Sequence, residues 1–574
     1  MHDHHSHGHS HAIDMPTSTE GLPEAQRSEV VELSHGDEFE LDIVPVRKQI
    51  GEATVRMLAY NGSVPGPTLK VPQGSTITVY VANHGDMDAT VHWHGIRVEN
   101  RFDGTHETQA PIPIGDTFTY EVTFPDAGVY WYHPHIREDY GQELGLYGNL
   151  LVVPSEADYW PPAHRELLVT LDDVLIEEGR IAAFSETETT HVAMGRFGNT
   201  MLVSGESNLE LEAKRGEVVR FYFTNTANTR VFRVGIAGAK VKLVGGDSGR
   251  VEREELVEDV ILAPSERVVV DALLDTPGEA ALEHRTPETT YRLASIAVSE
   301  DGVEPLDFET LRENADMTAE RERIAPYLEA APDKTLSLVA EMDLGGASES
   351  ETGVFACPMH AEIVASWEGK CPKCGMKLIP AAADVPAPTE YACPMHPEIT
   401  ATWAGECPKC GMTLRPTGAG GDAEHEHHHQ DEHGHAHDTS GGIEWEDDMV
   451  EVNRETTPDN TRWLIVDKDT GDRGHAIDWR FRVGDQVKIR IVNEKDSDHP
   501  MHHPFHIHGA GRFLVLSRDG VTEPNLVWKD TVLLRTGETV DILLDVTNPG
   551  HWMAHCHIAE HHESGMMFTF TVEP

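Results

Sequence analysis

Residues 74–83 read GSTITVYVAN, and the same pattern returns as GEVVRFYFTN at 216–225 and as GDQVKIRIVN at 484–493. Each copy alternates with a period of two and is rich in β-branched and aromatic residues, which is typical of a half-buried strand. A second pattern follows each copy: FPDAGVYWYHPH from Phe124, TPGEAALEH from Thr276 and NPGHWMAHCH from Asn548. Three copies of one β unit predict three similar domains, each a sandwich or barrel with Greek-key connections.

These patterns divide the 574 residues into β domains and connecting segments. A stretch rich in His, Gly and Asp cannot build a core, so we interpret such a stretch as a flexible linker. The expected order is a His-rich tail at 1–34, β domains at 35–155 and 160–345, a Cys-rich insert at 353–416, a His-rich linker at 417–440 and a third β domain at 441–574. Residues 309–330 predict one helix, which we expect to be charged and to lie at the periphery of the molecule.

The chain is strongly acidic, with 98 Asp and Glu residues against 45 Lys and Arg residues and a formal net charge of −53. This balance excludes nucleic-acid binding, because phosphate binding needs a basic footprint. Two interpretations of the acidity remain. One is a solvated acidic surface of the kind found on proteins made for salty surroundings, and the other is attraction of metal cations.

Membrane and targeting signals are missing from the sequence as numbered. No apolar run reaches the roughly 18 residues that a membrane helix needs, so we expect no membrane span. The first twenty residues, MHDHHSHGHSHAIDMPTSTE, have no basic n-region and no apolar h-region, so they do not predict a signal peptide. The expected compartment stays open: the cell envelope or the exterior if a leader was removed, and the cytoplasm otherwise.

Four His-x-His pairs predict a metal cluster. Residues i and i+2 of a strand point to the same face, so each pair offers two imidazoles side by side. Two pairs belong to the first domain and two to the third, so eight imidazoles converge if those domains pack together. Imidazole suits copper, zinc, iron and nickel, and eight nitrogens exceed what one ion needs. The pairs are His92/His94, His133/His135, His506/His508 and His555/His557.

A lone cysteine indicates which metal is bound. Cys556 lies between the two histidines of the last pair, so its side chain points to the opposite face of the same strand. His503 lies upstream, and His561 and Met566 follow five and ten residues after Cys556. Two imidazoles, one thiolate and a weak axial Met make a blue-copper electron-transfer site. Two peptide units then connect this site to the cluster on the other face.

These segments resemble the four copper signatures of the multicopper oxidases, a family that includes laccases, ascorbate oxidase, bilirubin oxidase and bacterial cuprous oxidases. The signatures are HWHG at 92–95, WYHPH at 131–135, HPFHIHG at 503–509 and HCHIAEHHESGM at 555–566, in the family's order and spacing. The resemblance covers the three β domains and implies an all-β fold of cupredoxin-like Greek-key sandwiches. It also implies four copper ions, O2 as the electron acceptor and a substrate that donates electrons at a type 1 copper.

The resemblance further implies a role for each metal-binding side chain. The implied type 1 ligands are His503, Cys556, His561 and Met566, the type 2 ligands are His92 and His506, and the type 3 ligands are His94, His133, His135, His508, His555 and His557. The axial methionine implies a modest reduction potential, since fungal high-potential laccases carry an apolar residue in its place.

Reduction of O2 also needs protons, and three residues are candidate donors. Asp103 lies nine residues after His94, where bacterial members of the family carry an acidic residue; it is equally compatible with a turn residue in Phe102-Asp103-Gly104. Many bacterial members have Glu directly after the last type 1 histidine, but this chain has His562 there, followed by Glu563. A histidine can relay protons, so both residues are candidates.

The Cys-rich insert contains two copies of one motif, ACPMHAEIVASWEGKCPKCGMKL at 356–378 (the first repeat) and ACPMHPEITATWAGECPKCGMTL at 392–414 (the second repeat). The motif resembles the small heavy-metal-binding domain of copper and silver efflux proteins. Thiolate and thioether ligands favour Cu(I), whereas a structural zinc site is the alternative. The candidate ligands are Cys357, Met359, His360, Cys371, Cys374 and Met376, and then Cys393, Met395, His396, Cys407, Cys410 and Met412.

Two His tracts, at 2–11 and 425–437, are further candidates for loose copper or zinc binding. Alternatively, neither tract binds metal. The first would then be a polar tail, such as a purification tag, and the second a flexible linker.

The leading functional hypothesis is a cuprous oxidase that detoxifies copper, because the sequence beyond the oxidase core consists mostly of soft-metal ligands. A laccase-like oxidase of phenols or aromatic amines would have the same fold and a different pocket beside His503 and His561, which we expect residues 496–502 to border. A copper store or chaperone without turnover is the hypothesis from another class. Because one chain supplies both halves of the cluster, we expect a monomer.

Overall fold

The computed structural model describes residues 14–343, 353–381, 385–417 and 441–574. The tract at 2–11 and most of the linker, 418–440, therefore lie outside the described residues. The described part is mostly β structure, as the sequence predicts, and its sheets form three sandwiches and one small insert. None of the helices in these ranges has the length and apolarity needed to cross a membrane.

The first domain pairs a four-stranded sheet with a five-stranded sheet around one apolar core. In spatial order, the first sheet is Ala53–Tyr60, Glu38–Ile50, Thr76–Asn83 and Thr117–Thr123. The second is Val30–Glu32, Thr68–Pro72, Gly148–Val153, Gly128–His133 and His92–His94. Strand Val30–Glu32 lies in the segment that the sequence assigned to the tail, so the domain begins earlier than residue 35.

The second domain has a six-stranded and a five-stranded sheet. The first is Thr200–Val203, Arg165–Val174, Glu217–Asn225, Arg267–Leu274, Lys240–Gly246 and Gly249–Val257. The second is Leu209–Arg215, Thr290–Gly302, Gly278–Arg285, Phe232–Ala237 and Asp259–Leu262, and a hairpin of Ile176–Glu177 and Arg180–Ile181 lies apart.

The third domain repeats this plan. Its six-stranded sheet is Thr461–Asp467, Lys334–Met342, Gln486–Asn493, Thr539–Val546, Gly511–Arg518 and Val521–Thr522. Its five-stranded sheet is Trp479–Arg482, Met567–Glu573, Gly550–Cys556, His503–Ile507 and Thr531–Leu534.

The expected boundary of the second domain at residue 345 differs from the structure. Each repeated strand pairs in parallel with one earlier strand and antiparallel with one later strand. For the third copy, Gln486–Asn493, the parallel partner is Lys334–Met342, so residues 334–342 supply the first strand of the third domain. The insert therefore interrupts the third domain after its first strand. Parallel partners are distant in sequence, which is why local patterns did not place this strand.

Helices are short and few among the described residues. They are Glu138–Glu143, Ala315–Leu328, Val450–Arg454 and Ala559–Glu563, with 3-10 turns at Asn100–Phe102 and Gly474–Ala476. The helix expected within 309–330 forms at Ala315–Leu328 and buries Met317 and Ile324 against Leu514, Leu516 and Trp528 of the third domain. It thus fixes the end of the second domain to the third.

The two repeats of the insert form one small sheet of two-residue strands. In spatial order these are Ile379–Pro380, Phe355–Ala356, Val364–Ala365, Thr400–Ala401, Tyr391–Ala392 and Arg415–Pro416. The repeats meet where Ala365 pairs with Ala401, and Trp367 and Trp403 lie 5.5 Å apart between ring centroids. Four of the ten buried residues of the shared core are cysteines, so the unit has little apolar area of its own, and we expect its stability to depend on bound metal.

The position of the insert leads to a prediction about stability. Deleting residues 353–440 leaves Lys334–Met342 paired with Thr461–Asp467, and the backbone hydrogen bond from Asp343 N to Asn460 O (2.7 Å) closes the end of that pair. We expect the shortened chain to unfold cooperatively, with its midpoint lowered by about 5–10 °C because Met376 of the insert is lost from the core of the third domain. Thermal unfolding followed by near-ultraviolet circular dichroism measures this, and loss of the cooperative transition would show that the third domain needs the insert.

Candidate metal centres

The strand Gly550–Cys556 contributes side chains to both groups of candidate ligand atoms. It pairs with His503–Ile507 so that Phe505 faces Cys556 and His506 faces His555. Side chains alternate along a strand, so Cys556 points to one face and its two histidine neighbours to the other. The thiol Sγ of Cys556 lies 3.6 Å from His503 Nδ1, whereas His555 Nε2 lies 3.0 Å from His508 Nε2. One strand therefore contributes to two separate groups of ligand atoms.

The first domain contributes the other half of the histidine cluster. Its strand His92–His94 pairs with Gly128–His133, and residues 92 and 133 are directly opposite. Across the domain interface, the His94 ring stacks on that of His506 at 3.8 Å between centroids, and His92 lies 4.1 Å from His508. All eight histidines of the four pairs are buried and gather where the first and third domains meet. Groups whose ligand atoms lie close together include His92 with His506 and His508, His92 with His94 and His133, and His135 with His508 and His555.

The ring nitrogens show that this cluster fits metal ions. The Nδ1 atom of His508 donates to Asp103 Oδ2 at 2.8 Å, and Nδ1 of His555 donates to the carbonyl of Cys556 at 2.8 Å. The two Nε2 atoms then carry lone pairs that face each other across 3.0 Å, an arrangement that a cation between or beside them relieves. Other buried nitrogens find no hydrogen-bond partner among the described residues: Nε2 of His92, His133 and His506, Nδ1 of His94, and both nitrogens of His135 and His557.

Burial prepares these imidazoles for metal binding. Desolvation lowers the pKa of His92 to about 4 and that of His555 to about 3, and it lowers the pKa of the other six well below the usual value. The rings are therefore neutral at neutral pH, which is the state that binds a metal.

A second group of ligand atoms surrounds Cys556. Its Sγ lies 3.6 Å from Nδ1 of His503 and 3.8 Å from Nδ1 of His561, and these two nitrogens are 3.3 Å apart. Met566 is fully buried, and its backbone bonds to both Cys556 and His561. Burial raises the pKa of the thiol, so a free thiolate is unfavourable here without a cation. Two imidazoles, a thiol and a nearby methionine are the donor set of a blue-copper site.

Two carboxylates hold the cluster histidines in place. Asp103 accepts from His508 through its carboxylate and from His92 Nδ1 through its carbonyl at 2.7 Å. Asp530 accepts from His94 Nε2 at 3.0 Å, and Arg267 of the second domain donates to the same carboxylate at 2.7 Å. Such outer partners orient metal ligands and select their tautomers. The sequence pointed to Asp103 only as a candidate proton donor, a role that stays a prediction. It gave no sign of Asp530, which lies in no signature and is brought close only by the fold.

A third carboxylate, Glu138, was also missed. Its two oxygens lie 3.3 Å from Nε2 of His135 and 3.4 Å from Nδ1 of His562, and burial raises the pKa of its carboxyl to about 7. Of the two proton donors expected nearby, His562 is thus linked to the cluster through Glu138. Glu563 accepts from the backbone N of Glu138 at 3.3 Å, and burial raises its pKa to about 8. The spacing of Glu138, three residues after His135, was a signal that the sequence did carry.

Each repeat of the insert has a compact cluster of three cysteines and one histidine. In the first repeat, Cys357 Sγ lies 3.7 Å from both Cys374 Sγ and His360 Nδ1, and Cys371 Sγ lies 3.5 Å from the same nitrogen. In the second, the matching distances of Cys393 to Cys410, Cys393 to His396 and Cys407 to His396 are 3.6, 3.8 and 3.7 Å. The candidate methionines are placed unequally: Met376 is buried and Met359 partly buried, whereas Met395 and Met412 are exposed.

Comparison with known proteins follows the same division of the chain. Residues 45–157 and 447–574 match family models described as multicopper oxidase, and residues 354–381 and 390–417 each match the heavy metal binding domain. The chain is 24% identical over 519 residues to the multicopper oxidase mco of Staphylococcus epidermidis, which covers 89% of this chain and 82% of that protein. It is 31% identical over 229 residues to laccase-3 of Oryza sativa, which covers 37% and 39% of the two chains.

Among solved structures, the fold is similar to that of a multicopper oxidase from Campylobacter jejuni described as a metallo-oxidase. The TM-score is 0.59 at 20% identity, over 98% of this chain and 99% of that one. At this identity the likeness concerns the fold.

The geometry around Cys556 predicts that the copper beside it can be lost without loss of the other coppers. We expect Cys556→Ser to abolish the blue thiolate absorption of the copper-loaded protein, because the hydroxyl is a poor substitute for the soft thiolate. The histidines on the opposite face stay in place, so the other coppers are retained, as measured by metal analysis and electron paramagnetic resonance. Cys410→Ser in the insert is the control and keeps the blue colour. Loss of all copper in C556S would mean that the two groups are not independent.

The position of Glu138 predicts an effect on O2 reduction. We expect Glu138→Gln to slow turnover about 10²-fold at unchanged copper content, because an amide cannot transfer a proton as the carboxyl does. The measurement is steady-state O2 uptake over a pH series, together with metal analysis. The matched control is Glu143→Gln on the same helix, where the carboxylate accepts from Leu175 N and contacts no cluster histidine. Equal rates for the two variants would exclude a role for Glu138 in proton transfer.

Proposed function

We propose that this chain, which belongs to the multicopper oxidase family and is an oxidoreductase, oxidises Cu(I) with O2. The balanced reaction is 4 Cu(I) + O2 + 4 H⁺ → 4 Cu(II) + 2 H2O. The observation that carries the choice of substrate is the burial of the electron-entry site. His503 is 1% exposed and His561 is fully buried, so a phenol has no imidazole edge to contact. The first repeat, with its soft-metal ligands, packs against the loop that leads into His503.

The proposed ligands are those implied by the family signatures. His503, Cys556, His561 and Met566 would hold the type 1 copper, His92 and His506 the type 2 copper, and His94, His133, His135, His508, His555 and His557 the type 3 pair. When bound, these four coppers supply one-electron uptake from substrate and four-electron reduction of O2.

The protein itself connects the two metal-binding faces, orients the histidine ligands and supplies protons. Cys556 lies between His555 and His557, so the two metal-binding faces are joined covalently by two peptide units, one on each side of Cys556. Asp103 and Asp530 orient His508 and His94, and the neutral imidazoles keep their lone pairs directed inward. Buried Glu138 holds a proton near neutral pH between His135 and His562, and from there it would supply protons for the reduction of O2 to water.

The insert is proposed to collect the substrate. Its two Cys3His clusters offer thiolates that favour Cu(I), and the chain's net charge of −53 attracts cations. The His tracts at 2–11 and 425–437 would add weaker sites. The store-without-turnover hypothesis does not agree with the family, whereas laccase-like oxidation of phenols is the alternative that the test below distinguishes.

Oxygen uptake with two substrates tests this proposal. The copper-loaded full-length chain is given Cu(I) or a simple phenol in parallel, and we expect fast uptake with Cu(I) and slow uptake with the phenol. Deletion of residues 353–440 should raise the KM for Cu(I), because collection is lost. It should also raise phenol oxidation, because the loop that leads into His503 loses the first repeat that covers it. Fast phenol uptake by the intact chain, with Cu(I) uptake unaffected by the deletion, would contradict the proposal.

A further inference from the structure

The two repeats of the insert are nearly identical in sequence, but they are not equivalent in the fold. The first repeat lies on the loop 496–502, where Lys370 Nζ donates to the carbonyl of Ser497 at 2.7 Å and the backbone N of Lys377 donates to the carbonyl of Asp498 at 3.1 Å. Gly375 faces Pro500 so closely that a Cβ would lie 3.2 Å from the proline ring. The first metal cluster is therefore held beside the residues that lead into His503.

Matching methionines in the two repeats also differ in burial. Met376 is 1% exposed and belongs to the apolar core of the third domain, whereas its counterpart Met412 is 40% exposed. Met359 and Cys374 also pack against that core, whereas Met395, the counterpart of Met359, is 67% exposed. Cys374, Met359 and Met376 of the first repeat thus contact the core around the electron-entry site, whereas their counterparts Cys410, Met395 and Met412 in the second repeat are exposed.

A buried pair of soft ligands lies in this same region. His499, on the loop that receives the first repeat, is 4% exposed and places Nε2 3.2 Å from the sulfur of Met194 in the second domain. Its Nδ1 is buried without a hydrogen-bond partner among the described residues. A buried imidazole that makes no ordinary hydrogen bond is costly, so packing alone is a poor explanation for its presence.

The surroundings hold this pair near the proposed type 1 ligands. The backbone N of Met194 donates to Asn453 Oδ1 at 3.0 Å, which fixes the loop that carries the thioether. The His499 ring lies 5.8 Å from the ring of Trp463, and Trp463 in turn stacks on His561 at 4.1 Å between centroids. One aromatic ring therefore separates the pair from a histidine that contacts Cys556.

We propose that His499 and Met194 form a transient Cu(I) site that is filled by ligand exchange from the first repeat. This inference rests on the proposed cuprous oxidase function and adds a donor, an acceptor and a direction of transfer to it. The donor is the cluster of Cys357, His360, Cys371 and Cys374, and the second repeat captures metal from solution. The ion bound by His499 and Met194 loses one electron toward Cys556, and O2 is the final acceptor. The Cu(II) formed is held poorly by a thioether and leaves.

A redox-inert probe tests the site without turnover. Crystals of the copper-loaded full-length chain are soaked with Ag(I), which has the soft-ligand preference of Cu(I) and cannot be oxidised by this enzyme. We expect an anomalous peak between His499 Nε2 and Met194 Sδ that is lost in Met194→Leu and kept in Met317→Leu, a buried methionine on helix Ala315–Leu328. Silver confined to the two cysteine clusters would overturn the site.

Anaerobic reduction by Cu(I) tests the direction of transfer and separates this inference from the proposed function. Stopped-flow mixing follows bleaching of the blue absorption, and we expect Met194→Leu to slow it about tenfold, equivalent to ~1.4 kcal/mol, and Met317→Leu to leave it unchanged. At limiting Cu(I), Cys374→Ser should slow bleaching more than the matched Cys410→Ser. If Cu(I) bleaches the wild-type protein and all four variants alike, the inference fails and the proposed function stands. If Cu(I) does not bleach the wild-type protein, the proposed function itself fails.

Discussion

Alternation of side chains along the strand Gly550–Cys556 is the constraint on which the rest of the structure depends. Because neighbouring side chains point to opposite faces, the thiol of Cys556 and the imidazole of His555 serve different sites while sharing one peptide unit. The strand must therefore be covered on both faces. Its own domain and the second domain cover the thiol, and the first domain brings four histidines to the other face.

Without a bound cation, the histidine cluster lowers the stability of the folded state. Burial keeps the imidazoles neutral, and opposed lone pairs such as those of His508 and His555 remain uncompensated. Buried charge pairs close to the cluster, above all Arg267 with Asp530, fix the second domain against the interface of the other two. Metal binding and domain packing are therefore coupled, since an ion bound by histidines of two domains stabilises only the assembled state.

Local sequence patterns were sufficient for the strands and the three-domain plan, and they selected the histidines and the cysteine that the fold brings together. They were insufficient where the fold joins distant segments: Lys334–Met342 pairs with a strand more than a hundred residues later, and Asp530 reaches His94 only after folding. The expectation for the helix within 309–330 was correct in position, although the helix packs on the third domain. The unequal positions of the two repeats had no sequence signal, because docking depends on the loop 496–502.

Copper-edge anomalous diffraction from crystals of the copper-loaded chain tests the central claim most directly. We predict one copper bound by His503, Cys556 and His561, and three coppers among the eight histidines on the opposite face of the same strand. Copper in the insert clusters is compatible with either result. A single ion among the eight histidines, or none beside Cys556, would contradict the account of one strand serving two coupled metal sites.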